Sequence, residues 1–353
     1  MAEFKRIGVL TSGGDAPGMN AVVRAVVRAG LAHGLEVFGI IGGYKGLIEN
    51  DMKLFTSVAD VSNIIERSGT VLYTERCPEF ETKEGQAKAL VNIKNAHIDG
   101  IVAIGGDGTF HGATALARHG VPTIGIPGTI DNDITATDYT IGFDTAMNTV
   151  VGIVDSLRAT CESHARCAVV EVMGRHAGHI ALNTAVATGA VAVAVPEFDF
   201  DEAAVINSIK EKRAQGKRSF IVIVSEGLPG YAEKLAKKIE AETSIVTRVS
   251  CPAHVQRGGI PTLTDRLVAS EMGEYAVEQL LCGRSDIVIC KNHGQLETVE
   301  ISRALTVDRM FKGKLSDEEI AALSDDDKKY MEARCAEVKH DMYELYKLVY
   351  DLA

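Results

Sequence analysis

The sequence predicts an α/β protein with two similar parallel-sheet domains of Rossmann-like type and a helical C-terminal extension. Three observations lead to this prediction. Short apolar runs alternate with segments of helical periodicity along most of the 353 residues. The runs are continuously apolar, which is typical of strands buried on both faces of a parallel sheet. Several of them end in glycine-bearing loops that lead into a helix, and the length is sufficient for two domains.

The elements follow one another in a regular order. In the first block we expect strands at 6–11, 36–41, 71–73, 101–104 and 122–126, with helices at 19–33, 83–97 and 109–118. In the second block we expect helices at 142–164, 177–188, 201–215, 231–241 and 264–281, with strands at 166–172, 191–195, 220–224, 244–249 and 286–290. We therefore predict two α/β blocks, the second of which begins near residue 141, followed by an acid-rich helical extension at 313–353.

Composition narrows the classes of partner. With 37 Lys and Arg against 48 Asp and Glu, the net charge is −11, which disfavours nucleic acid and anionic membranes as partners. No run of 18 apolar residues and no signal-peptide pattern occurs, so we expect a cytoplasmic protein. The seven cysteines form no C-x-x-C pair, and His176 and His179 lack the H-E-x-x-H arrangement, so reduced thiols are expected and zinc is not.

The stretch from Ile101 to Asp133, IVAIGGDGTFHGATALARHGVPTIGIPGTIDND, contains two strands that each end in a loop suited to phosphate. Glycines at 105, 106 and 108 permit close approach of an anion, and the following helix directs its N-terminal amides toward it. Asp107 would repel such an anion unless a cation intervenes. Since Mg²⁺ pairs carboxylates with phosphate oxygens, the loop implies Mg²⁺ with a nucleotide.

The second loop carries Asp131 and Asp133, a candidate base and its neighbour. If the two strands are adjacent, both loops emerge at the carboxyl edge of the sheet, where nucleotide and acceptor would face each other. These residues alone leave open a kinase, a phosphate-binding module, or an ordinary turn with an Asp helix cap.

Five motifs together carry a resemblance: TSGGDAPGMN at 11–20, IGGDGT at 104–109, PGTIDND at 127–133, EVMGR at 171–175 and HVQRGG at 254–259. In this order they resemble the 6-phosphofructokinase family, and its ATP-dependent bacterial type, over about residues 6–312. The resemblance implies that Mg²⁺-ATP phosphorylates the 1-hydroxyl of fructose 6-phosphate, giving fructose 1,6-bisphosphate and ADP in glycolysis. It also implies a nucleotide-binding domain at 1–141 and 257–312 and a sugar-phosphate-binding domain at 142–256. The resemblance further implies a homotetramer with active sites shared between subunits.

The resemblance assigns roles to individual positions. Asp131 would be the general base, and nearby positive charge, chiefly from Arg175, would keep its pKa low. The catalytic positions are Asp131, Arg175, Thr129 and Gly14; Asp107 would hold the metal. ATP would be bound by Gly14, Arg76, Cys77, Gly106, Asp107, Gly108 and Thr109. The sugar phosphate would be bound by Thr129, Asp131, Asp133, Met173, Gly174, Arg175, Glu226, His254 and Arg257, with Arg166 and Arg248 from a neighbouring subunit.

Two sets of residues indicate which phosphoryl donor is used and how the activity is regulated. Pyrophosphate-dependent relatives typically carry Asp at the position of Gly108 and Lys at that of Gly128, so glycine at both favours ATP. Four residues match the basic cluster of the family's effector pocket: Arg24, Arg28, Arg158 and Lys217. The pocket departs from the usual pattern at Val191, Gln215 and Ser219, so we expect altered regulation and weak activation by ADP. A pyrophosphate-dependent phosphotransferase, a catalytically silent sensor, and a lipid or NAD kinase remain alternatives.

Overall fold

A computed structural model describes residues 4–353 and divides the chain into two compact units. Unit 1 comprises residues up to Ile130, Ile134–Asp144 and Ile260–Cys335. Unit 2 comprises Asp131–Asp133, Thr145–Gly259 and Ala336–Ala353. The predicted fold class, α/β with two parallel-sheet domains and a helical C-terminal segment, is confirmed.

The strands and helices alternate as the apolar runs predict. The strands are β1 (Arg6–Thr11), β2 (Glu36–Ile40), β3 (Met52–Phe55), β4 (Gly100–Gly105), β5 (Thr123–Pro127), β6 (Cys167–Val172), β7 (Ala192–Ala194), β8 (Phe220–Ser225), β9 (Thr247–Ser250), β10 (Ile287–Asn292) and β11 (Gln295–Glu300). The helices are α1 (Met19–Ala32), α2 (Tyr44–Glu49), α3 (Lys83–Asn95), α4 (Asp107–Arg118), α5 (Phe143–His164), α6 (His179–Ala187), α7 (Glu202–Ala214), α8 (Tyr231–Thr243), α9 (Leu263–Leu281), α10 (Ile301–Phe311), α11 (Asp317–Ala322) and α12 (Asp325–Leu352).

Unit 1 contains a seven-stranded sheet in the order β11-β10-β5-β4-β1-β2-β3. Its inner pairs are parallel, and β3 and β11 are antiparallel edge strands. Thr11 of β1 is in register with Ile104 of β4, and Gly105 is in register with Pro127 of β5. The loops after β1, β4 and β5 therefore leave the sheet side by side. The two central strands are adjacent, which is the condition under which their loops emerge at the same edge.

Large apolar side chains of unit 1 pack together on one side of its sheet. Phe110 and Leu116 of α4 are almost completely buried there, with Ile101 of β4 and Met331 of α12 in the same cluster. A Cβ at Gly125 would lie 2.7 Å from the ring of Phe110, so the strand has no room for a side chain at this point. This packing fixes α4, and hence the loop that precedes it, against the sheet.

Unit 2 contains a four-stranded parallel sheet in the order β7-β8-β6-β9. Val172, the last residue of β6, is in register with Ser225, the last residue of β8. The residues that follow these strands, Met173 and Glu226, thus emerge at the same edge. Buried residues of α7 and α8 cover the sheet, and Tyr350 of α12 packs against them.

The segment 313–353, predicted as a helical extension that packs back on the rest of the chain, is divided between the two units at residue 335. α11 begins with a capping box in which Ser316 and Glu319 bond reciprocally, as their spacing predicts. In α12, Met331 and Met342 are buried, whereas Leu348 is 38% exposed. The segment therefore packs as part of each unit and does not form a third one.

Several local predictions are wrong. Residues 71–73 form a turn, not a strand; Tyr73 N donates to Thr70 O at 3.1 Å, and Tyr73 has a φ of 57°. The strands β3 and β11 and the helix α10 were not predicted. β11 follows β10 through a two-residue turn, His293 and Gly294, both with positive φ as a tight hairpin requires. Among residues 4–353, no helix has the length and apolar character needed to cross a membrane.

Candidate active site

The loop after β1 lies open at the carboxyl edge of the unit 1 sheet. Ser12 N donates to Ile104 O at 2.9 Å, which continues the pairing of β1 with β4 beyond the strand. Gly13 has a φ of 84°, and its carbonyl accepts a hydrogen bond from Thr74 Oγ1 at 2.7 Å. Gly14 is exposed. The loop thus presents backbone with little side-chain bulk, which is what close approach of a phosphate requires.

The loop after β4 is packed directly against the loop after β1. A Cβ at Gly105 would lie 2.2 Å from Thr109 Oγ1 and 2.3 Å from Ser12 O, so only glycine fits. Thr109 Oγ1 donates to Ser12 O at 3.1 Å and joins the two loops. α4 begins at Asp107 without a side-chain cap, which leaves its first amides available to an anion. A Cβ at Gly108 would meet no atom within 4 Å, so the surface there is open.

Asp107 is half-exposed in the first turn of α4, and His111 Nε2 lies 3.4 Å from its Oδ1. Sequence reasoning missed His111, although its i, i+4 spacing from Asp107 could have indicated the contact. Within residues 4–353 no group of three His, Cys, Asp or Glu side chains could hold a metal ion. A single carboxylate beside an anion-binding helix end fits Mg²⁺ that is held jointly by protein and phosphate, not by protein alone.

Arg76 and Cys77 follow the turn at residues 70–73. Thr74, whose hydroxyl bonds to Gly13, fixes this segment to the loop after β1. Arg76 is exposed and Cys77 is half-buried. The structure therefore places both residues on the chain segment next to the open loop, with the Arg76 guanidinium accessible to an anionic ligand.

Asp131 lies in the loop after β5 and is the first residue of the short segment Asp131–Asp133 that belongs to unit 2. It is buried, with 5% of its surface exposed, and burial raises its pKa to about 6. Asp133 and Glu226 raise the pKa further, while Arg257 and, to a smaller extent, Arg175 lower it. The prediction that Arg175 keeps this pKa low is therefore wrong, because the loss of hydration outweighs both arginines.

The backbone around Arg175 has an unusual conformation. Gly174 has a φ of 140° and Arg175 a φ of 58°, a left-handed conformation that is rare outside glycine. Glu226 Oε1 accepts hydrogen bonds from Arg175 N at 2.7 Å and Gly174 N at 3.2 Å. A Cβ at Gly174 would lie 2.4 Å from Ala177 O. Glu226 thus holds a turn that leaves the Arg175 side chain exposed.

Gln256 is a residue of this site that sequence reasoning quoted within a motif but assigned no role. Its side chain is completely buried; Oε1 accepts from Met173 N at 3.1 Å and Nε2 donates to Ala253 O at 3.1 Å. The amide therefore ties the turn that carries His254, which is exposed, and Arg257, which is half-buried, to the end of β6. A buried amide with both ends bonded fixes a specific geometry.

Arg166 and Arg248 lie at the opposite edge of the unit 2 sheet from Arg175. Arg166 precedes the first residue of β6, and Arg248 in β9 is in register with Ala168. Met173 follows the last residue of this six-residue strand. A strand of that length spans about 20 Å, so these two arginines do not reach the Arg175 turn of their own chain.

The four residues matched to the effector pocket occupy both units. Arg24 and Arg28 of α1 line a shallow groove in unit 1. In unit 2, Arg158 donates to Thr188 O, and burial together with the charge of Arg158 lowers the pKa of Lys217. Val191 is 3% exposed within the unit 2 core and offers no ligand group. Gln215 is exposed and Ser219 is buried.

Comparison with known proteins gives these loops a family context. The family model described as Phosphofructokinase matches residues 6–280. An ATP-dependent 6-phosphofructokinase of Bacillus velezensis is 53% identical over 281 residues, covering 80% of this chain and 88% of the relative. One of Clostridium botulinum is 49% identical over 314 residues, covering 89% and 98%. The phosphofructokinase structure from Saccharomyces cerevisiae matches with a TM-score of 0.84 at 30% identity, covering 97% of this chain and 49% of that one.

Proposed function

Because this chain belongs to the phosphofructokinase family, and to its ATP-dependent 6-phosphofructokinase class, we propose that it moves the γ-phosphoryl group of ATP to the 1-hydroxyl of fructose 6-phosphate. The products are fructose 1,6-bisphosphate and ADP. One observation supports the chemical role most directly: Asp131 is a buried carboxyl whose pKa is raised to about 6. A base works best when its pKa lies close to the working pH.

In the proposed mechanism Asp131 accepts the proton of the sugar 1-hydroxyl as the phosphoryl group is transferred. Above pH 6 it is ionised and ready to do so. Its raised pKa also makes it a stronger base than an ordinary Asp, so the proton transfer is more favourable. Arg175 and Arg257, which oppose the rise in this pKa, supply positive charge that stabilises the developing negative charge on the transferring group.

We assign the 6-phosphate of the sugar to arginine and backbone groups around the Arg175 turn. A guanidinium keeps its charge at all working pH values and binds two phosphate oxygens at once. The proposed ligands are Thr129, Asp131, Asp133, Met173, Gly174, Arg175, Glu226, His254 and Arg257. Arg166 and Arg248 would serve the site of a neighbouring subunit, since they lie at the far edge of their own sheet.

The nucleotide is assigned to the loops of unit 1. The proposed ATP ligands are Gly14, Arg76, Cys77, Gly106, Asp107, Gly108 and Thr109. The open end of α4 would bind phosphate oxygens, and Asp107 would hold Mg²⁺ together with them. When bound, Mg²⁺ would supply positive charge that neutralises the nucleotide phosphates. The cation would also reduce the electrostatic repulsion between the Asp107 carboxylate and the phosphates of the nucleotide.

ATP rather than pyrophosphate is supported by the two glycines. Space at Gly108 is open, and an Asp there would bring a second carboxylate to the phosphate surface. At Gly128 a Cβ would lie 3.1 Å from Ile104 Cγ2 and 3.2 Å from Met19 Cε, so a long side chain is not accommodated without a shift. Glycine at both positions brings neither a carboxylate nor an ammonium to the site, which supports a donor that carries an α-phosphate and adenosine.

The assembly proposed is a homotetramer in the cytoplasm, with each active site built from two subunits. Assembly, location and the domain boundaries at 142 and 257 stay predictions.

The test of the chemical role is Asp131→Ser. We expect its turnover to fall by about 10²–10⁴-fold while fructose 6-phosphate binding, measured by calorimetry, is nearly retained. Asp155→Ser, which removes an exposed carboxylate from α5, is the matched control. Turnover like that of the unmodified protein in Asp131→Ser would refute the assignment.

A further inference from the structure

The segment that directly follows the proposed catalytic loop is held by a side chain from the C-terminal helix. Arg334 of α12 is 6% exposed, and its Nε donates to Thr135 O at 2.8 Å. Its Nη2 donates to Asp138 Oδ1 at 2.7 Å. Thr135 stands two residues after Asp133 and four after Asp131. The Arg334 guanidinium therefore binds both ends of the segment 135–138, which directly follows the loop that carries the two carboxylates.

The same segment is fixed on its other side by the end of β10 and its turn. Asp138 Oδ2 accepts from His293 N at 2.8 Å, and Asn292 Oδ1 accepts from Asp138 N at 2.8 Å. Asn292 Nδ2 donates to Ala136 O at 3.0 Å. These contacts involve backbone groups and the Asn292 amide, and Arg334 adds an ion pair with the Asp138 carboxylate.

The chemistry of the contact requires arginine in particular. Nε and Nη2 form one edge of a rigid, planar fork, and here that edge meets two acceptors three residues apart in the chain. A lysine ammonium at this position could keep the charge near Asp138, but it lacks the fixed geometry for both acceptors. The match to the family model ends at residue 280, so Arg334 lies beyond the matched region, whereas Thr135 and Asp138 lie within it.

We propose that Arg334 is a positioning residue for phosphoryl transfer. From α12 it holds Thr135 and Asp138 and thereby, through the connecting chain, Asp131 and Asp133. The inference rests on the proposed role of Asp131 as base. Displacement of a reacting group by about 1 Å can cost up to about 10²-fold in rate. A fixed segment immediately after the base therefore matters for turnover and not only for attachment of the helix.

The experiment compares Arg334→Met with Arg303→Met. Arg303 of α10 also binds α12, through Asp326 and Asp327, but it lies far in sequence from the catalytic loop. Rates are expressed per ATP-binding site, so loss of folded protein does not count as loss of rate. We expect Arg334→Met to lower kcat by about 10-fold or more with the KM for ATP changed less than about twofold, because neither Thr135 nor Asp138 belongs to the nucleotide loops.

Arg334→Lys should recover part of the lost kcat because it restores the charge opposite Asp138. Asp138→Asn, at a side chain that is 38% exposed, provides a second variant if Arg334→Met does not fold, and it should lower kcat in the same direction. The inference would be overturned if the kcat of Arg334→Met equalled that of the control Arg303→Met. It would also be overturned if the kcat of Asp138→Asn equalled that of Arg303→Met. Asp131→Ser is measured alongside: if it alone is inactive, only the role of Arg334 fails, whereas full activity there removes the proposed function itself.

Discussion

Replacing Asp131 by asparagine should change stability and turnover in opposite directions. Burial raises the pKa of Asp131 from its ordinary value of 3.8 to about 6, so the ionised form is unfavourable in the folded state. A rise of this size corresponds to about 3 kcal/mol. The pKa of Asp131 is higher in the folded state than in the unfolded state. The contribution of protonated Asp131 to the free energy of unfolding is therefore fully present below pH 3.8 and is lost as the pH rises through about 6.

The amide side chain introduced by this substitution carries no charge at any pH, so the variant should escape this loss. We expect the Asp131→Asn protein to be more stable than the unmodified one by about 3 kcal/mol at pH 8 and by about half of that at pH 5. The chain contains no Trp, so unfolding in urea is best followed by far-UV circular dichroism at a fixed protein concentration.

Kinetics provide the second half of the same test. The value of kcat/KM for the unmodified enzyme should fall on acidification through about pH 6, and the variant should lose about 10²–10⁴-fold in kcat. Asp155→Asn controls for the removal of a carboxylate as such. A stability difference that is the same at pH 5 and pH 8, or an acid limb of kcat/KM near pH 4, would refute the reasoning from burial.

Two further predictions concern assembly and regulation. Hybrids of an Arg166→Ser, Arg248→Ser protein with an Asp131→Ser protein should regain part of the activity, because some sites then combine the intact half of each; verified hybrids without recovery would contradict shared sites. Activation by ADP should be weak, since the resemblance to the family places Val191 where a Mg²⁺-bound diphosphate would need a carboxylate, and any surviving effector should be a metal-free anion. Steady-state assays showing strong Mg²⁺-dependent ADP activation that Arg24→Ala abolishes would contradict this.

Much of the fold could be predicted because buried parallel strands leave a strong pattern of apolar runs. The two antiparallel edge strands were missed for a physical reason: β11 has one solvated face, so its sequence, QLETVE, is largely polar. Val71 and Tyr73 look like strand residues, yet the chain turns there and Tyr73 is 67% exposed. Local β-propensity was overruled by the contacts that hold this turn.

The site was predictable where chemistry depends on local motifs and not where it depends on packing across the chain. The two apolar runs that form β4 and β5 could be recognised from the sequence, and their parallel pairing brings the loops at Gly105 and Pro127 to the same edge. The pKa of Asp131 could not be predicted, because its largest cause is burial by residues distant in sequence. Arg334 lies almost two hundred residues beyond Thr135, and no spacing rule connects them.

The central claim is that this chain phosphorylates a sugar phosphate with ATP at Asp131. The most direct measurement is ³¹P NMR of the purified protein with fructose 6-phosphate and Mg²⁺, supplied with either ATP or pyrophosphate and repeated with Asp131→Ser. We predict that ATP yields ADP and fructose 1,6-bisphosphate, that pyrophosphate reacts more slowly, and that Asp131→Ser forms almost no product. Faster product formation with pyrophosphate, or undiminished formation in Asp131→Ser, would contradict it.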